Sequence, residues 1–157
     1  MNFPVDYGCE FYEGDADVIG RAVSGGDWPG LRNGIAAHSF VGFPRFICGS
    51  YFDWFAAAVA SVVQQPEVQV HDLRAVAGED GHWSADVLPV DWVAAVASVP
   101  AERIWLLSQH WREAYLRQQF SEVEDWPDHE LLDPLHRLTV LCSAALSRRT
   151  DVVLLTL

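Results

Sequence analysis

The chain contains no lysine: all ten basic residues are arginine, set against 22 Asp and Glu for a net charge of −12. A field of that sign repels nucleic-acid phosphates and anionic membrane surfaces, which excludes both as partners. It permits a basic protein partner, since opposite fields steer association; keeping the protein soluble is the other use of such a charge. Missing lysine beside abundant Ala, Val and Arg points to a GC-rich bacterial gene. Cysteine is scarce as well. Cys9, Cys48 and Cys142 are odd in number, widely spaced and free of any CxxC pattern. That excludes a disulfide framework and a zinc signature, and fits a reducing cytoplasm. No apolar run approaches the roughly 20 residues of a membrane span. The opening MNFPVDYGCEFYEGD has neither the basic start nor the apolar stretch of a secretory signal. A Gly-rich phosphate loop, a Walker or Rossmann fingerprint and a GxSxG elbow are all missing. The expectation is a cytoplasmic protein with no cofactor and no metal.

What is present is apolar and aromatic. At 157 residues, 50% hydrophobic and 20% charged, the chain has the balance of one globular domain spanning 1–157. Seven Trp, eight Phe and four Tyr are a heavy load for that length. Rings of that size serve first as core anchors, and a surplus lines a pocket or an interface.

The clearest element is a helix over Ala101–Phe120, after Pro100, with Ile104, Leu107, Trp111, Tyr115 and Gln118 recurring at helical spacing. Before it, Gly8–Glu13 reads as a strand. Asp15 caps a short helix that Gly25-Gly26 ends, DWPGLRNG (27–34) is a loop of turn formers, and Gly34–Val41 is a buried strand. A helix over about 50–65 has Ser50 as its cap and Asp53 completing a capping box. Val68–Val76 and His82–Leu88 form a hairpin, and Pro89 begins an Ala-rich helix. After the acidic loop 121–130, Asp133-Pro134 is a well-formed helix start. The apolar Asp151–Leu157 reads as a strand inserted into a sheet. Irregular alternation of these elements implies an α+β fold: a small mixed β-sheet of four to five strands with about five helices packed over it.

Three constellations bear on function. His110 and Glu113, three apart on the central helix, are spaced to reach one ligand, with His71 and His82 on the hairpin as further candidates. His129, Asp133 and His136 match a ligand spacing too, but a helix beginning at Pro134 separates them. Cys48, in ICGSYF before a helix start, is a candidate nucleophile. The segment is similar to the CGSCW of papain-like proteases, yet Tyr51 stands where that motif places its nucleophile. Last come two acidic clusters with aromatic company: Asp15 and Asp17 near Phe11 and Tyr12, and Glu124, Asp125 and Asp128 around Trp126. Acidic charge around an aromatic anchor grips a basic partner.

In size, acidity and lack of a catalytic motif the chain resembles small bacterial antitoxin and immunity proteins. Such a resemblance implies a non-catalytic protein-binding module, of unspecified oligomeric state, working through acidic, aromatic-studded loops. The alternative is a small enzyme or metal-binding protein using a His/Glu or Cys/His site.

Overall fold

The C-terminal apolar run lies in the middle of a five-stranded sheet. The computed structural model describes residues 7–45, 47, 49–68, 70, 73–79, 82–118 and 126–156. Its strands are β1 (Tyr7–Gly14), β2 (Ser39–Pro44), β3 (Arg74–Glu79), β4 (Trp83–Val87) and β5 (Asp151–Thr156), in the order β2-β1-β5-β4-β3. The α+β class is as expected, but the sheet is not mixed: every pairing among the described strands is antiparallel. The cause lies in the connections. The chain between β1 and β2, and that between β4 and β5, each returns to the end of the sheet it left, so no crossover sets two neighbours parallel.

Among the described residues six α-helices accompany the sheet: α1 (Ala16–Ser24), α2 (Trp28–Arg32), α3 (Phe55–Val63), α4 (Val90–Ala97), α5 (Ile104–Gln118) and α6 (Asp128–Arg148). Strand alternation sorts the side chains into two cores. Phe11, Val41, Phe43, Val152 and Leu154 face a large apolar layer built on α3, α4, α5 and α6. On the other face Tyr12, Ala85, Val153 and Leu155 meet α1 and α2 through Ile19, Val23, Trp28 and Leu31. Gly20 lets α1 approach the sheet closely, since a Cβ there would lie 2.7 Å from the Val76 carbonyl oxygen on β3. Among the described residues the larger core takes the greater share of the aromatic rings. Phe11, Phe43, Phe52, Phe55 and Trp111 form a continuous run of edge-to-face and tilted ring contacts at centroid distances of 4.8 to 6.1 Å.

Local physics explains where elements depart from expectation. Residues 27–34 are not simply a loop. The Asp27 carboxylate accepts from the Gly30 amide at 2.9 Å and starts α2, whose Trp28 and Leu31 are buried. The strand expected over Gly34–Val41 begins only at Ser39, and Ile35 is 80% exposed. Gly49–Trp54 form a 3₁₀ turn, and α3 has Trp54 as its N-cap with no side-chain cap bond, four residues beyond the start expected at Ser50. α5 is shorter than the expected helix, Ala101–Arg103 being a 3₁₀ turn, and it packs chiefly on α3 and α6, its Trp111 reaching the sheet at Phe43.

The largest departure is at Pro134, which lies inside α6 rather than at its start. Leu131, Leu135, Leu138, Cys142 and Ala145 are all buried and continue one stripe across the proline. Burial of that stripe, about 1.5–3 kcal/mol for each large side chain, outweighs the one backbone hydrogen bond that proline removes.

Candidate functional site

Among the described residues the histidine candidates do not converge. On α5 the His110 Nδ1 lies 3.8 Å from a Glu113 Oε that is equally close to Arg117, and Glu113 stands in solvent. His82 is exposed, just ahead of β4. His71 and Cys48 lie outside the described residues. Because α6 runs through Pro134, His129, Asp133 and His136 do share one helix, contrary to expectation. All three are exposed, and Asp133 faces Arg137 at 4.0 Å. Among the described residues no three His, Cys, Asp or Glu side chains are grouped to hold a metal ion.

The acidic clusters also differ from their appearance in sequence. Asp15 is the α1 N-cap, its carboxylate accepting from the amides of Asp17 and Val18 at 2.9 and 3.0 Å. Asp17 is exposed and 3.5 Å from Arg74. Phe11 and Tyr12 are fully buried, and Trp126 is 7% exposed, its Nε1 donating to the Ser108 hydroxyl at 3.1 Å. Asp128 is half-buried and accepts from the Gln109 amide at 2.6 Å. Glu124 and Asp125 lie outside the described residues. The aromatic anchors are therefore core residues, not surface ones.

Two carboxylates of β1 have gone inside. Glu10 is bonded to the Arg32 guanidinium and the Tyr12 hydroxyl. Burial, and then the neighbouring Glu10 charge, push the Tyr12 phenol well above its ordinary range, so it remains a proton donor to Glu10. Glu13, fully buried, holds Arg148 and accepts from the Thr150 hydroxyl at 2.7 Å.

A cavity of about 370 Å³ offers different chemistry. Phe52 comes from the 3₁₀ turn, Trp92 from α4, Leu88 from the chain after β4 and Leu154 from β5. Val68, Val70 and Leu73 close it from the segment that follows α3. Among the described residues two polar ones line it: Asp53, released from the helix cap it was expected to form, and Glu67. Partial burial raises the Asp53 carboxyl above its usual range. An apolar chamber with two carboxylates, and no Arg or His among the described residues that line it, suits an organic cation with an apolar stem.

Nothing in the sequence singled out Glu67 or Trp92, and Asp53 was assigned to a cap. The usable signal was that Asp53 and Glu67 flank a nearly uninterrupted apolar helix, each at one end of it. No protein-family model, curated protein or solved structure matches this chain.

Proposed function

We propose that the protein is a non-catalytic binding module for a basic protein partner, and that the Asp53–Glu67 cavity takes a lysine or arginine side chain of that partner. One observation carries this reading: the cavity joins aromatic and aliphatic walls to two carboxylates on a chain of net charge −12. The stem of a lysine or arginine is apolar and its head cationic, the same division as the cavity. The acidic field accelerates encounter with a basic surface. Neutralising or protective roles of the antitoxin and immunity type use this chemistry, and we place the protein in the bacterial cytoplasm on the same reasoning. No helix among the described residues is long and apolar enough to cross a membrane.

The test is capture of partners from the native organism's lysate by the wild type and by Asp53→Asn/Glu67→Gln, at low and moderate salt. A basic protein retained by the wild type at both salt levels and lost from the double variant is the expected result. Equal retention by the two proteins, or no basic protein on either, contradicts the proposal.

A further inference from the structure

We propose a second docking surface: the groove between the outer edge of β2 and α6 takes an extended acidic peptide segment, which adds to the sheet beside β2. The sheet order leaves β2 at an edge, and an edge strand presents backbone donors and acceptors that an added strand satisfies. Beside it lies a cavity of about 460 Å³. Its strand side is the run from His38 to Val41; its helix side includes His136, Val140, Ala144 and Arg148, four apart and hence on one face of α6.

Three features point to an occupant. The Phe40 carbonyl accepts from an Arg137 Nη at 3.2 Å, so a donor from the helix side of the groove already reaches the backbone of β2. The Ser39 hydroxyl is shut off from solvent with no hydrogen-bond partner. Val140, an aliphatic residue, is 56% exposed on the groove wall.

Charge selects the class of occupant. Among the described residues two arginines and two histidines line the groove and no carboxylate does, on a molecule otherwise strongly acidic. Arg137 and Arg148 already meet Asp133 and Glu13, yet their side chains stay 48% and 52% exposed, with donors left to offer. A second copy of this chain, docked about a twofold axis, would set those cationic groups against themselves. A nucleic acid has no peptide backbone to complete a strand ladder. An acidic peptide satisfies both the edge and the groove.

The experiment uses the full chain, isotope-labelled for amide NMR, at about 150 mM salt, where a Debye length of ~8 Å screens the distant acidic surface but not groove contacts. The probes are a short acetylated peptide alternating Glu and Val and its Lys–Val counterpart. We expect the Glu peptide to shift amides in 38–44 and 136–148, Val140→Glu to weaken it about tenfold or more, Val140→Lys to bind at least as well as wild type, and the Lys peptide to leave those amides unmoved. The proposal is overturned if those amides stay still at millimolar Glu peptide, or if the Lys peptide moves them equally. A dimeric wild type made monomeric by Val140→Glu would also overturn it, identifying the groove as a self-interface.

Discussion

Glu10 and Glu13 stand on opposite faces of β1, and each is closed off from solvent against a different arginine. The Glu10 pair ties α2 to one face of the sheet, with the Arg32 guanidinium also 5.7 and 5.8 Å from the rings of Tyr7 and Phe40. The Glu13 pair ties the end of α6 to the other face. Removing one partner of a buried pair strands the other charge. Arg32→Ala should therefore cost about 3–5 kcal/mol in urea unfolding. Arg148→Ala should cost less, about 1–2 kcal/mol, because Arg148 is half exposed to water and Thr150 still bonds Glu13. Adding Glu13→Gln to Arg148→Ala should recover part of that loss; full additivity of the two would show that the pair is not coupled.

Trp126 provides a second check, because its acidic surroundings in sequence suggested a docking anchor. It packs edge-on to Trp111 at 5.3 Å and bonds Ser108, so Trp126→Ala should lose about 3–5 kcal/mol of stability. Thermal unfolding measures this directly. A variant as stable as wild type but deficient in partner binding would return Trp126 to the surface role.

Alkaline pH gives a third. Burial pushes the Cys142 thiol from 9.0 up to about 12, so the folded state keeps a proton that the unfolded chain releases. A raised pKa contributes stability that is complete below pH 9 and is lost as pH climbs toward 12. Tyr12, raised for the same reason of burial, acts in the same direction. Cys142→Ala should flatten the decline of unfolding free energy across that window by up to about 1.4 kcal/mol per pH unit. An unchanged slope would mean that the thiol ionises freely in the folded protein.

Much of the fold was legible because period and capping are local signals. The uninterrupted DVVLLT could only be a strand buried on both faces, and it occupies the middle of the sheet. The Asp15 cap and the Gly25 stop were equally plain. The misreadings came where tertiary contacts overrode such signals. Asp133-Pro134 has the chemistry of a helix start, yet Leu131 packs with Leu135 and Leu138 and carries α6 back to Asp128. The turn formers in 27–34 concealed a short helix held by buried Trp28 and Leu31. The candidate site was less legible still, since Asp53, Glu67 and Trp92 belong to separate elements that only folding brings together.

The cavity makes its own prediction about pH. A cation bound there requires ionised carboxylates, and burial makes Asp53 hold its proton to higher pH than an ordinary Asp. Affinity for a basic ligand should thus fall as pH drops through a range just above the usual carboxylate values. Asp53→Asn should bind more weakly at neutral pH and lose that part of the pH dependence. Calorimetric titrations of both proteins from neutral to mildly acidic pH compare the two profiles; a profile identical in wild type and Asp53→Asn would remove Asp53 from the site.

The most direct measurement is amide NMR of the full chain titrated with a short amphipathic peptide of Arg and Leu, in the wild type and in Asp53→Asn/Glu67→Gln. The cavity account predicts shifts concentrated at Phe52–Ala56, Val68, Leu88 and Trp92, and their loss in the double variant. Shifts centred instead on Asp15 and Asp17, or unchanged in the double variant, would contradict it.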